Sequence, residues 1–279
     1  ETRRALRRGL ENPLARKDVV DATRQAAVDL LEYRGFLEDD LRDIWSRRGS
    51  DYFLRERPED IAWHTEAIAD HDDVDSPLVL VRQSTDSPIA NATQIFVHAR
   101  DEPDLFARIC GELEMLDLSI NDARIYLGND GATLDTFFVL QADGNPVPGD
   151  EHTLDGIRRV LQQALDQGHK RSVSRRTPRQ LKSFLMPTET HVHQDRDRNW
   201  TVLEIATPDR PGLLARMGEV FMDYGVALQA AKIQTLGERV EDVFFLTEAE
   251  GGMIQDNQRL SELQSAICAA LDEGVKASA

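Results

Sequence analysis

The sequence predicts an α+β fold: an N-terminal helical segment followed by two ferredoxin-like β-α-β-β-α-β units. Three observations point to it. Apolar residues recur at three- and four-residue steps up to Ala69. They alternate with period two in several segments after Pro77, and the second half repeats the pattern of the first. With 279 residues the chain has room for about two domains. Its 41% apolar and 30% charged residues suit packed cores and argue against a disordered polymer.

The helical segment comes first. Thr2 to Leu10 reads as an Arg-rich helix without the apolar core of a signal peptide. The chain opens on Glu1 instead of Met, which suggests part of a longer protein. In the next helix Val19, Ala22, Ala26 and Leu30 share a face, with Asp18 placed to cap its start and Gly35 to stop it. A shorter helix around Leu41, Ile44 and Trp45 ends near Gly49. Pro58 suits the first turn of another, with Ile61, Ala62, Thr65, Ile68 and Ala69 on one side. Asp70 to Asp75 is an acidic break, so the helical segment spans residues 1–76.

After Pro77 the texture changes. Leu78 to Val81 is a short apolar run, Thr85 to Ala92 a loop, and the alternation from Gln94 through Ala99 a strand. A helix over Asp104 to Leu116 and a strand over Leu118 to Tyr126 follow. The turn Asn129-Asp-Gly131 leads into a strand over Leu134 to Leu140, and Thr153 to Leu165 is a second helix. Residues 169 to 182 form a basic linker, and Phe184 to His193 a further strand. The same order then returns: strand Val202 to Thr207, helix Leu213 to Tyr224, strands Val226 to Thr235 and Val240 to Thr247, helix Arg259 to Leu271.

The repeat extends to individual residues. Asp101-Glu-Pro-Asp-Leu-Phe-Ala-Arg108 matches Asp209-Arg-Pro-Gly-Leu-Leu-Ala-Arg216. Leu118-Ser-Ile-Asn-Asp-Ala-Arg-Ile125 matches Val226-Ala-Leu-Gln-Ala-Ala-Lys-Ile233 at the same offset, and Asp135-Thr-Phe-Phe138 matches Asp242-Val-Phe-Phe245 after a one-residue slip. Each unit makes a four-stranded sheet with helices on one face; its other face and its edges favour pairing of two units. The linker strand can complete the first unit. Glu273 to Ala279 is too short and polar to complete the second, which is left three-stranded or borrows an edge.

The turn Asp209-Arg-Pro-Gly-Leu-Leu-Ala215, opening a helix after a strand, resembles the hallmark of ACT domains, small amino-acid-sensing regulatory modules. The phrases Leu6-Arg-Arg-Gly-Leu10, Tyr52-Phe-Leu-Arg55, Ile61-Ala-Trp-His64 and Gly237-Glu-Arg-Val-Glu-Asp-Val-Phe244 are more specific. They resemble the C-terminal part of the bifunctional uridylyltransferase/uridylyl-removing enzymes that modify the PII nitrogen-signalling protein, over nearly the whole chain. That resemblance implies a nucleotidyltransferase domain, an HD phosphohydrolase domain and two ACT domains. The first transfers UMP from UTP to a PII tyrosine, the second removes it, and glutamine sensed by the ACT pair sets the balance. On this reading the chain holds the helices after the HD domain (1–76), a first ACT domain with its linker strand (94–194) and a second ACT domain (201–279). It also implies a cytoplasmic protein whose partners are glutamine, PII and, through domains outside this chain, UTP. The ACT units pair within a chain or in a dimer. Mg²⁺ belongs to the full-length enzyme, and this chain carries no cofactor.

The residues themselves show no catalytic constellation. Gly49-Ser50 lacks the paired aspartates that a nucleotidyltransferase needs after its Gly-Ser turn, and reads as a helix terminator. His71-Asp72 with His64 does not make an HD metal site, and Asp70, Asp72, Asp73 and Asp75 lack the glycine and glutamate of a calcium loop. His191, His193 and Asp195 share one strand face; such a set can hold a metal but more often faces solvent. Cys110 and Cys268 read as two buried thiols in a reduced protein.

The two strand-to-helix bends carry the ligand expectation. In the second repeat, amide N–H groups near Pro211 and Gly212 face an anion and the helix dipole favours an α-carboxylate, with Leu213 opening the helix. Gly212 lets a ligand approach the backbone, Asp209 can accept an α-ammonium, and Thr207 lies two residues back on the same face. Equally, Asp209 can simply cap the helix. In the first repeat Asp101 matches Asp209, but Asp104 puts a negative side chain where the glycine stands, so this turn either binds the amino group of a ligand or has a structural role. Many ACT sites carry an Asn just after the start of the second strand; those positions here hold Ser119 and Ala227.

Two other classes compete. A stand-alone ACT regulator, or the tail of another amino-acid-controlled enzyme, shares the repeat but not the phrases from Tyr52 to His64. An RNA-recognition module has the same strand–helix order, with Phe137, Phe138, Phe244 and Phe245 as mimics of its stacking aromatics. A net charge of −17, from 50 acidic and 33 basic residues, repels phosphate backbones and argues against nucleic acid. No apolar stretch approaches the length of a membrane span.

Overall fold

The computed structural model describes residues 13–71, 76–84, 89–167, 187–210, 212–236 and 239–272. Several sequence readings lie outside the described residues: the helix over Thr2–Leu10 with its Leu6–Leu10 phrase, Asp72, Asp73 and Asp75, the basic linker, and the start of the linker strand at Phe184. So do Pro211, Gly237, Glu238 and the tail Glu273–Ala279. The chain divides into two compact units. One takes the chain to Asp75 together with Tyr126–Ala132; the other takes Ser76–Ile125 and the chain from Thr133.

The helical unit contains α1 (Pro13–Glu32), α2 (Glu38–Ser46), α3 (Ser50–Arg55) and α4 (Pro58–Ala69). Asp18 lies inside α1 and not at its start. Gly35, at φ +94°, takes the left-handed turn that follows the helix. The buried stripe of α1 is Val20, Ala27 and Leu31, one position round from the expected face, while Val19 is 50% exposed. Half-buried Arg24 lies in line with this stripe and lays its guanidinium over the Phe53 ring of α3 at 4.2 Å. Pro58 opens α4 as expected, its missing N–H being no loss in a first turn. Inside, the Trp45 indole donates to Thr65 Oγ1 at 2.9 Å, and the Tyr52 hydroxyl lies 2.9 Å from His64 Nδ1. His64 is fully buried in this network.

The second unit contains β1 (Leu78–Gln83), β2 (Thr93–Arg100), α5 (Leu105–Met115), β3 (Leu118–Tyr126), β4 (Ala132–Gln141) and α6 (Glu151–Asp166). These are followed by β5 (Glu189–Asp195), β6 (Trp200–Pro208), α7 (Leu213–Asp223), β7 (Val226–Leu236), β8 (Arg239–Glu248) and α8 (Asn257–Asp272). The strands form one eight-stranded sheet in the order β1-β2-β4-β3-β7-β8-β6-β5. The linker strand differs from expectation. β5 pairs antiparallel with β6, His191 opposite Glu204, and so edges the second repeat. The first repeat takes its edge from β1, antiparallel to β2. Each edge strand therefore precedes its repeat. A local hairpin explains this: Asp195 Oδ1 accepts from the N–H groups of Asp197 and Arg198 and closes a tight turn into β6, whereas the other pairing needs a longer crossover.

Alternate residues of the strands enter one core: Ile95 and Val97 of β2, Phe137 and Val139 of β4, Leu203 and Ile205 of β6, Phe244 and Leu246 of β8. Helices α5 to α8 close it with Ile109, Leu161, Met217 and Ile267. Phe106 of α5 meets Phe244 of β8 edge-on at 6.4 Å, so the two repeats share this core. A Cβ on Gly218 would stand 2.6 Å from that of Ala107, so only glycine allows α5 and α7 their approach. Duplication reaches the backbone irregularities too: β3 bulges between Ile120 and Asp122, and β7 between Leu228 and Ala230, at matched positions of the repeat.

Candidate functional site

The bend of the second repeat runs from the end of β6 into α7 and brings Thr207, Asp209, Gly212 and Leu213 together in one strand–turn–helix. Gly212 sits at the start of α7 with φ +74°, a left-handed conformation that a Cβ disfavours. A Cβ there would also lie 2.9 Å from Glu114 Oε2 and 3.5 Å from Arg216 Nη2. The α-helical start therefore faces a carboxylate carried by α5 of the first repeat. Burial raises the Asp209 pKa above the ordinary carboxylate value, against a hydrogen bond from the Arg210 backbone. Arg210 ties the bend to the end of α8: it donates to the Leu271 carbonyl at 2.6 Å and lies 3.9 Å from Asp272. A cation at a helix C-terminus is well placed there.

Two of the expected ligand residues also take part in the framework. Thr207 is buried, and its hydroxyl lies 2.9 Å from that of Thr188, which donates to Asp272 at 2.7 Å. Leu213 is 6% exposed and belongs to the shared core.

The first repeat makes the same bend differently. Asp104 occupies the start of α5, and Arg108 pairs with Glu102 at 2.8 Å and with Asp104 at 3.8 Å. This helix start thus carries a cluster of ion-paired side chains. Burial, with Glu102 adding, raises the Asp101 pKa to about 6. Ser119 lies on β3 opposite Leu140, away from either helix start in sequence.

Two residues escaped the sequence reading. Glu114 reaches Gly212 from another repeat, which no local pattern encodes. Asn121 stands at the β3 bulge with its Oδ1 buried and unbonded, while its counterpart Gln229 donates to Thr247 at 3.0 Å. The signal for that pair was present: an amide in both repeats, two positions past Ser119 and Ala227.

The remaining constellations resolve into structure. Gly49 is the residue before α3. His64 bonds Tyr52, and Asp72 is not among the described residues. His191 and His193 are exposed on the edge strand β5. Among the described residues no group of three or more His, Cys, Asp or Glu could hold a metal ion, and no helix is long and apolar enough to cross a membrane. Phe137, Phe138 and Phe244 are buried, and Phe245 packs on Trp200 at 5.7 Å, so these rings form no stacking platform. Cys110 is buried, its thiol pKa pushed well up by burial and by Asp135 and Asp242. Cys268 is only half-buried, contrary to expectation, because it sits beside the edge strand and donates to the Thr188 carbonyl.

Comparison with known proteins gives one family model, the uridylyltransferase GlnD fifth domain, which matches residues 15–67. Curated relatives match nearly the whole chain. The "bifunctional uridylyltransferase/uridylyl-removing enzyme" of Stutzerimonas stutzeri is 45% identical over 98% of this chain and 31% of its own length. Those of Ectopseudomonas mendocina and Azotobacter vinelandii give the same identity and the same coverages. The chain thus spans about a third of the relatives it matches. Among solved structures, aspartate kinase from Synechocystis aligns at 14% identity over 63% of this chain and 26% of that one, with a TM-score of 0.33, too distant to argue from.

Proposed function

We propose, from the premise that this chain is homologous over nearly its whole length to a segment of the bifunctional uridylyltransferase/uridylyl-removing enzymes, that it is an amino-acid-sensing regulatory region with glutamine as its effector. The catalytic steps, UMP transfer from UTP to a PII protein and its removal, together with their Mg²⁺, then belong to domains outside this chain. The observation that supports the sensor reading is the asymmetry of two equivalent bends. The first carries the charged Asp104 at its helix start, whereas the second keeps glycine there, faced by Glu114 of the other repeat.

In the second bend the amide N–H groups at the start of α7 receive the α-carboxylate. The carboxylates of Asp209 and Glu114 are the candidates for the α-ammonium, and Arg210 holds the bend in place. The raised Asp209 pKa fits a carboxylate waiting for a cation, because a bound ammonium would bring it down. The effector shifts an activity only to the extent that it binds one arrangement of the protein better than another. A coupling of about 1–3 kcal/mol suffices for changes of several-fold to a hundredfold.

Calorimetry tests the reading. Glutamine titrated into this chain gives saturable heat with a dissociation constant of roughly micromolar to millimolar order, and Asp209→Ala weakens it. Absence of both heat and thermal shift removes glutamine as the effector. Unchanged affinity in Asp209→Ala returns that residue to a capping role.

A further inference from the structure

We infer that the outer edge of the second repeat, strand β5 with helix α8 beside it, is a surface for a second copy of this chain: two β5 strands pair antiparallel about a two-fold axis, and the two α8 helices meet next to them. The surface lies wholly within the second unit, and the inference stands without the ligand reading. Among the described residues β5 is the outermost strand on its side of the sheet, and its pairing with β6 runs without a bulge. Glu189–Asp195 holds no proline or lysine, so the backbone groups that β5 turns away from β6 offer a ladder to another strand.

The helices distinguish this edge from the opposite one. α6 and α8 are matched elements, with Leu161 and Leu165 of one buried as Ile267 and Leu271 of the other are. On α6 the Arg158 and Arg159 side chains pair with Asp155 at 2.6 and 2.9 Å, and Gln162 donates to the Pro77 carbonyl at 2.5 Å, ahead of β1. The same positions of α8 hold Gln264, Ser265, Ser261 and Cys268. Gln264 and Cys268 are engaged with the β5 segment, donating to Thr190 Oγ1 at 3.1 Å and to the Thr188 carbonyl at 3.7 Å. Ser261, Ser265 and Ala269 are exposed, and the Ser265 hydroxyl donates to the Ser261 carbonyl of its own helix at 2.8 Å. α8 thus presents a row of short side chains beside an open strand. The molecule joins its own repeats over a similar row: β3 lies beside β7, and α5 meets α7 where Ala107 faces Gly218.

Charge selects the partner and the register. With a net charge of −17 the chain repels its own copies over most of its surface. On β5 the exposed Glu189, His191 and His193 share one face, opposite Ala206, Glu204 and Val202 of β6. When two β5 strands run antiparallel about His191, Glu189 of each copy stands opposite the partner subunit's His193. An imidazole donates to that carboxylate whether neutral or charged. Centring on Val192 would set Glu189 against Asp195. Centring on His193 would set His191 against Asp195, whose carboxylate already takes Arg198 at 2.9 Å and two amides of the turn.

Sedimentation equilibrium of this chain decides it. The mass moves from one copy to two over roughly the micromolar range, as suits a small interface. Ser265→Arg, which gives α8 the residue that α6 carries at that position, weakens association about tenfold or more, and so does His193→Glu, which sets acid against acid. Adding Glu189→Arg to His193→Glu reverses the pair and restores the dimer. Arg159→Ser on α6 leaves the mass unchanged. Circular dichroism checks that each variant is folded; if Ser265→Arg is not, His193→Glu and its charge-reversed rescue carry the decision. A single-copy mass at every concentration up to about 1 mM overturns the inference. A dimer indifferent to His193→Glu overturns it too, since the interface then lies elsewhere.

Discussion

The outer faces of the two repeats, on the side of the sheet away from the core helices, differ more than their folds do. In the first repeat Phe96, His98, Leu134, Thr136 and Phe138 are all buried there. At the matched positions of the second stand Glu204, Ala206, Glu241, Val243 and Phe245, all half-buried. The same backbone, with the same bulge in its second core strand, thus carries an apolar outer face in one copy and an acid-bearing one in the other. Duplication preserved the core side, where Asp135 and Asp242 or Phe137 and Phe244 still match, and released the outer side. The bends diverged likewise: the first carries Asp104 at its helix start, the second glycine.

The largest test of this contrast is a pair of truncations. Phe96→Ala should lose about 3–5 kcal/mol of stability by cavity formation, whereas Glu204→Ala at the matched position should stay within about 0.5 kcal/mol. Urea unfolding followed by circular dichroism measures both, and equal effects would dissolve the contrast. A smaller effect separates the bends. Gly212→Ala should cost about 1–2 kcal/mol, because alanine must adopt the left-handed conformation, beside the close contact with Glu114. Asp104→Gly in the first repeat should change stability by only about a few tenths of a kcal/mol.

A further effect is in pH. The Asp101 pKa is raised in the fold from 3.8 to about 6, so folding favours its protonated form. Its contribution to stability is fully present below 3.8 and lost as pH rises through about 6. Asp101→Asn should therefore flatten the stability profile across that window. A pH profile identical to the parent would show that the Asp101 carboxyl titrates normally.

Much of this architecture was legible because it is periodic. Strand alternation located β2, β3 and β4 and their copies, and Pro58 and Gly35 marked helix boundaries. Where a rule of neighbours competed with a rule of pattern, the pattern misled. On α1 two apolar stripes lie side by side, and the buried one runs in line with Arg24, which stacks on Phe53 far along the chain. β5 joined the second repeat because a tight turn beats a distant edge, which hydrophobic alternation does not express. At the candidate site the Asp-Pro bends were visible as words in the sequence. Glu114 was not, because its role arises only from the packing of α5 on α7, and Thr207 gave no sign that Thr188 would take its hydroxyl.

The central claim, that only the second bend receives an amino acid, is most directly tested by equilibrium dialysis of labelled glutamine against this chain and against Gly212→Ala and Asp104→Ala. The account predicts one molecule bound per chain, lost in Gly212→Ala and kept in Asp104→Ala. Two molecules per chain, or binding that survives Gly212→Ala unchanged, would contradict it.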